Sequence, residues 1–332
     1  MFIIENYSLA VVFCFITMLC WGSWGNTQKL ASKSWRFELF YWDYVIGVLL
    51  VSLFSALTLG SFGVGGRSFI PDLMQTSASN LLSALIGGVI FNISNILLSA
   101  AIAISGMSVA FPLGVGLALI LGVVINYMSA PKGDPLILFV GVGLIAVAII
   151  LNALAYRNMS ANKGSSTKGI VIALIAGVLM SSFYRFIAAG MDIDNFQTPE
   201  VGKMTPYTAV FVFAVGIFLS NFLINTVVMK RPFVGLPVSY RDYFSGGMKT
   251  HLIGILGGVV WGIGNSLNLI AAGKAGAAIS YGLGQGATMV AAFWGVFIWK
   301  EFRGGPKVNN TYISLMFLLF LLGIGLIIYA GS

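Results

Sequence analysis

Ten apolar runs, each about 20 residues long, lie between short polar stretches along this chain, long enough to cross about 30 Å of hydrocarbon as helices. They fall near residues 7–28, 39–60, 79–103, 107–128, 135–156, 168–190, 206–229, 250–273, 276–299 and 311–331. The chain is 332 residues long, 58% hydrophobic and 8% charged, with 18 basic and 10 acidic residues. A water-soluble domain of that length needs a more charged surface. The expected fold is therefore all-α and polytopic, a multi-pass membrane protein of about ten helices in contact with a lipid bilayer. The net charge of +8 would suggest nucleic acid in a soluble protein. Here the basic residues sit in short loops, where they act as topology signals, and no nucleic-acid partner is expected. Cys14 and Cys20 both lie in the first run and imply neither a disulfide framework nor a metal site. The amino terminus, MFIIENYSLA, has no basic leader region and no small-residue cleavage site, so the first run reads as a retained helix.

Two stretches are the same helix pair at an offset of 170 residues. Residues 87–116 (GGVIFNISNILLSAAIAISGMSVAFPLGVG) align without a gap on residues 257–286 (GGVVWGIGNSLNLIAAGKAGAAISYGLGQG). Gly87 falls on Gly257, Gly88 on Gly258, Asn95 on Asn265, Gly106 on Gly276, Gly114 on Gly284 and Gly116 on Gly286. Such a duplication divides the chain into a first repeat (1–156), a polar connection (157–168, RNMSANKGSSTK) and a second repeat (169–332). Five spans per repeat is an odd number. The second half then enters the membrane from the opposite side, giving two inverted five-helix repeats with a site between them near the bilayer middle. One chain carries both halves, so a monomer suffices. Counting Lys and Arg by loop fixes an orientation. Thirteen (Lys29, Lys33, Arg36, Arg157, Lys163, Lys168, Lys230, Arg231, Arg241, Lys249, Lys300, Arg303, Lys307) fall in one set of loops, and four (Arg67, Lys132, Lys203, Lys274) in the other. The first set, the odd-numbered loops, is expected to be cytoplasmic, with both termini outside the plasma (inner) membrane.

A polar side chain inside an apolar span needs a partner, a watery cavity or a substrate. Asn92 and Asn95 share a helix face, as do Asn265 and Asn268, and Gln285 and Tyr281 lie on the ninth span. Amides both donate and accept, which suits an uncharged polar solute. The plainer reading is a hydrogen bond between helices. The expected substrate-binding set is Asn92, Asn95, Trp261, Asn265, Asn268, Tyr281, Gln285 and Trp24, with the tryptophans stacking on a flat ring or a sugar face. Asp43 is the acidic residue furthest inside a span; it either couples protons or pairs with Lys29 or Arg36. Arg185 either snorkels or holds an anionic group, and His251, at the start of the eighth span, reads as interfacial. Pro112 and Gly282 occupy equivalent repeat positions and would weaken their helices for gating. No phosphate loop, metal-ligand spacing or nucleophile–base pair is present, so no enzymatic activity and no cofactor are expected.

Ten spans in two halves, Cys20-Trp21-Gly22-Ser23-Trp24-Gly25 in the first span and Lys300-Glu301 ending the ninth resemble the drug/metabolite transporter superfamily. Within it the chain resembles the ureide permeases. The similar stretches are Tyr41-Trp42-Asp43-Tyr44, Gly87-Gly88 through Asn95 to Gly106-Met107-Ser108-Val109, Asn126-Tyr127, Tyr207-Thr208-Ala209 and Gly235-Leu236-Pro237. They continue with Gly262-Ile263-Gly264-Asn265, Gln285, and Phe293-Trp294-Gly295 to Glu301-Phe302-Arg303. Plant members carry a long central hydrophilic loop, and the polar connection here is short. Bacterial glucose and rhamnose uptake proteins share the architecture more loosely. The resemblance implies a secondary active transporter that imports a small polar solute by alternating access, driven by a proton gradient. The solute would be a ureide or nucleobase-like heterocycle such as allantoin, uracil or xanthine, or alternatively a monosaccharide. A non-transporting membrane scaffold or sensor is the alternative of another class; it would need interaction surfaces in loops that are short and undistinguished.

Overall fold

The structure, a computed structural model, describes residues 1–31, 35–159 and 166–332; Lys33 and Lys163 lie outside them. Among the described residues ten helices are long and apolar enough to cross a bilayer. They are α1 (Tyr7–Ala31), α2 (Phe37–Leu57), α3 (Ala78–Ser105), α4 (Met107–Ser129) and α5 (Pro135–Met159). The rest are α6 (Thr167–Ala189), α7 (Pro206–Lys230), α8 (Met248–Ala275), α9 (Ala277–Ile298) and α10 (Val308–Ala330). Large apolar side chains such as Leu50, Phe54, Leu219, Leu223 and Leu321 face outward, as lipid contact requires, while polar ones turn inward.

Local chemistry sets the boundaries. Asn6 caps α1, its Oδ1 accepting from Leu9 N at 2.8 Å. Pro206 opens α7, where its missing N–H has no intrahelical partner to lose. The corners between α3 and α4 and between α8 and α9 are single glycines, Gly106 (φ 84°) and Gly276 (φ 81°). Each ends one helix and starts the next in a backbone conformation that side chains disfavour. These are the two halves of the 170-residue repeat.

Packing repeats in the same way. α3 lies on α6 and α7, and α8 lies on α1 and α2. α4 lies on α6, and α9 on α1. α2 against α7, α4 against α9 and α5 against α10 close the bundle across the repeat axis. The closest crossings use matched glycines. Gly88 of α3 sits against the α7 backbone at Phe213, Gly216 and Ile217, and Gly258 of α8 against the α2 backbone at Tyr44 and Val48. A β-carbon at either place would strike a main-chain carbonyl, so only glycine permits this approach.

Loop contacts show that the helices alternate in direction. At one end, Tyr7 donates to Ile328 O (2.6 Å), Asp134 N to Ala330 O (2.8 Å) and Lys132 Nζ to Gly273 O (3.3 Å), and Ser77 N reaches Gly202 O (3.0 Å). At the other, Lys29 meets Glu301 (2.6 Å), Arg36 Nη2 donates to Val234 O (3.0 Å) and Lys168 Nζ to Phe233 O (2.5 Å). The first is called the terminal end and the second the basic end. α1 starts at the terminal end and α6 at the basic end, so α3 and α8 run in opposite directions.

Neither Pro112 nor Gly282 breaks its helix: α4 is continuous through Pro112, and Gly282 sits within regular helix. The ninth span breaks instead at Gly286 and widens into a π-turn at Trp294–Ile298. Pro112 lies in the second turn of its helix, which continues past it, whereas Gly286 offers no side chain to shield its turn.

Candidate functional site

Three depressions stack along the bundle axis. The first, about 910 Å³ at the terminal end, is lined by Asn126, Arg185, Asp192, Asp194, Glu200 and Lys203 among others. Another, about 360 Å³ at the basic end, is bounded by Gln28, Lys29, Trp35, Arg36, Glu38 and Glu301 with neighbouring apolar residues. Between them, at the middle of α3, is a cavity of about 20 Å³, room for little more than a water molecule. Trp24, Asn95, Trp261 and Gln285 line it, joined by Trp21, Phe91, Phe111 and Phe183. Among the described residues, no charged side chain lines it.

The walls are aromatic. Trp21 and Trp261 stack with ring centroids 5.8 Å apart and planes 9° apart, and Phe91 lies 4.3 Å from Trp261. Asn95 is 1% exposed, and its Nδ2 donates to Tyr41 Oη at 3.4 Å. Of the side chains that line the cavity, Trp21 has a buried Nε1 with no hydrogen-bond partner among the described residues, as has Asn265 Oδ1, one turn beyond Trp261 on α8. An unmet buried polar group costs about 1–3 kcal/mol. The free indole N–H of a cavity-lining side chain is a donor that a polar guest or water can meet.

The eight residues expected to bind substrate therefore divide. Trp24, Asn95, Trp261 and Gln285 come together. Asn265, the repeat partner of Asn95, is buried beside them but does not line the cavity. Asn92 points away and donates to Ser220 Oγ of α7 at 2.9 Å. Asn268 donates to Ser280 O at 2.7 Å, and Tyr281 Oη to Ala118 O and Met180 O, both at 3.2 Å. Those last two, with Tyr184 bonded to Ser280 (2.9 Å), close the bundle between the cavity and the terminal end. Asn92, Asn268 and Tyr281 thus join helices rather than line the cavity, because a protein acceptor lies within their reach. Toward the basic end, Gln28 donates to Ser99 O (3.2 Å), Trp294 to Ser23 (2.9 Å) and Trp299 to Asn26 (2.7 Å).

Asp43 is 1% exposed, and neither of its expected partners reaches it: Lys29 pairs with Glu301 and Arg36 with Glu38. Its Oδ1 instead accepts from Tyr243 Oη at 2.7 Å and meets His251 Nδ1 at 2.8 Å, while Oδ2 accepts from Trp35 Nε1 at 3.2 Å. Burial, then the bond to this carboxylate, pushes the Tyr243 hydroxyl far above its ordinary range, so it remains a donor. The chain's single histidine, read from sequence as interfacial, is thus part of the Asp43 cluster. It lies 208 residues away along the chain, and no local signal announces the pair. Arg185 is exposed in the terminal depression.

A ten-helix bundle with a closed, uncharged, amide-bearing cavity at its centre belongs to the multi-pass membrane transporters in form. Residues 40–168 and 155–332 match the ureide permease family, and the chain belongs to that family. It is 23% identical to Ureide permease 1 of Arabidopsis thaliana, covering 100% of this chain and 99% of the relative. Ureide permease 2 of the same plant is 25% identical over 97% and 96%. The Probable glucose uptake protein GlcU of Staphylococcus aureus is 21% identical over 79% and 84%. A solved crystal structure, 14% identical, matches with a TM-score of 0.58 over 97% of this chain and 96% of its own, and shows the same fold.

Proposed function

We propose that this protein is a proton-coupled importer of a small uncharged solute, working by alternating access between its two oppositely running halves. The observation that carries the reading is the central cavity. It lies between two larger depressions, is closed toward both, and carries amides but no charge. Asn95 and Gln285 pair with the edges of the solute, while Trp24 and Trp261 cover its faces. At about 20 Å³ the cavity is smaller than a heterocyclic ring, so Trp261 and Phe91 part when solute enters. Asp43 carries the exchanged proton. The names of the plant relatives support a ureide such as allantoin. The amides and flat aromatic walls of the cavity extend the reading to related nucleobases such as uracil or xanthine. The bacterial glucose uptake relative supports a monosaccharide as the second reading. The basic end faces the cytoplasm of a plasma (inner) membrane, and a monomer suffices.

The test is uptake into proteoliposomes under an imposed pH gradient, with labelled allantoin, uracil, xanthine, ribose, glucose and rhamnose. Accumulation of a heterocycle but no sugar is expected. Sugar uptake alone would transfer the assignment to the second reading, and no flux of any of them would reject transport of this solute class.

A further inference from the structure

We infer that His251 is part of the proton-exchange site: Asp43 and His251 form one unit through which a proton passes between the buried carboxyl group and the basic end. The inference rests on the proposed proton coupling and names how it is done.

Three observations carry it. First, Asp43 is almost wholly buried, whereas the His251 side chain retains 20% exposure, so the imidazole is the titratable group that joins the carboxylate to water. Second, the remaining groups packed about this pair do not compete for the role. Tyr243 is a neutral donor, and Trp35 has no proton to give at neutral pH. Arg36 is engaged by Glu38, and Asp242 by Ser239; Arg241 and Lys249 are exposed. Third, one turn of α2 ties the unit to the cavity. Asp43 turns toward His251, while Tyr44 packs on Trp24 (5.0 Å) and Trp261 (6.4 Å), and Tyr41 holds Asn95. A change in charge at Asp43 is therefore felt by the helix that backs two cavity tryptophans and an amide. Gly254 of α8 lies directly against the Asp43 side chain, so α2 and α8 cannot shift there without disturbing the pair.

The O–H bond of the Asp43 carboxylic acid breaks, and its proton goes to Nδ1 of neutral His251, leaving a carboxylate–imidazolium pair. The imidazolium then releases its Nε2 proton to water at the basic end. One proton has left Asp43 and one has entered the water, leaving the ring protonated on Nδ1 against the carboxylate. Reloading is the reverse, a proton from water to Nε2 and the Nδ1 proton to Oδ1, which restores both the acid and the first tautomer.

The experiment uses the full chain in proteoliposomes and the solute that wild type takes up. His251→Gln keeps a hydrogen-bond donor near Oδ1 and removes the titratable ring. A one-unit pH gradient coupled to one proton sustains up to about tenfold accumulation. The expected result is that wild type approaches this value. The variant should bring inside and outside only to equal concentration while still binding solute, read as a solute-dependent rise in its melting temperature. Accumulation by the variant equal to wild type overturns the inference. So does loss of solute binding along with accumulation, which would make the pair a structural tie. If wild type itself fails to accumulate solute under the gradient yet equilibrates it, proton coupling falls before the variant is compared.

Discussion

At the scale of single residues, the same amide serves two purposes, and only its neighbours decide which. Asn92 and Asn95 lie on one face of α3, three positions apart. Asn92 finds Ser220 on the adjoining helix, while Asn95 reaches the cavity through a weak bond to Tyr41. Asn95→Ala is expected to lower solute affinity by about tenfold, one good hydrogen bond's worth, in equilibrium binding. Asn92→Ala should leave affinity alone and lower stability by about 1 kcal/mol, seen in thermal unfolding. An equal effect of both on binding would remove the distinction. The buried carboxylate of Asp72 is a sharper case. Arg67 pairs with it at 2.9 Å and also reaches Pro199 O at 2.7 Å, tying the α2–α3 loop to the α6–α7 loop. Arg67→Ala leaves a wholly buried charge without its partner, so a loss of about 3–5 kcal/mol is expected in chemical unfolding.

At the scale of elements, the repeat is a repeat of contacts. Gly88 and Gly258 were visible in the alignment, but what makes them glycine is a main chain lying against each one. Gly258→Ala places a methyl group on the Tyr44 carbonyl and should destabilise the fold by about 1–3 kcal/mol in thermal unfolding. Gly143, which meets no atom that a β-carbon would strike, should accept alanine without loss. The short helix Tyr240–Phe244 makes a pH prediction. Ser239 N and Oγ both donate to Asp242 Oδ2, at 2.7 and 2.8 Å, and Asp242 N returns a bond to Ser239 Oγ. The backbone bond first, then the hydroxyl, holds this carboxyl below its ordinary range. A folded-state value below the unfolded one gives stability that is fully present above the ordinary carboxylate value of about 4 and fades as pH falls through the lower one. The protection of this helix's amides, with exchange rates corrected for their intrinsic pH dependence, should therefore hold from neutral pH down to about 4 and fall below it. Asp242→Asn should remove that dependence.

At the scale of the molecule, the alternation of loop contacts places both termini at one end and the basic loops at the other. With the basic end in the cytoplasm, a cysteine at Ser332 should react with an impermeant maleimide on intact cells, and one at Ser245 only after lysis. The reverse pattern would invert the orientation.

What the sequence by itself determined is whatever depends on local chemistry. In hydrocarbon each backbone N–H must bond within its own helix, so apolar length alone dictated ten spans, and glycine corners and caps dictated their ends. The opposite running of the two halves followed from the odd number of spans in each, and the ureide permease resemblance from motifs along the chain. The tertiary structure decided which polar groups meet. Asp43 meets partners 200 and 208 residues away, Asn92 one at 128, Asn95 one at 54 and Lys29 one at 272, and an amide facing a serine reads the same in sequence as one facing a cavity. Side-chain hydrogen bonds act over about 3 Å of space, and only the packed bundle says which side chains stand within that distance.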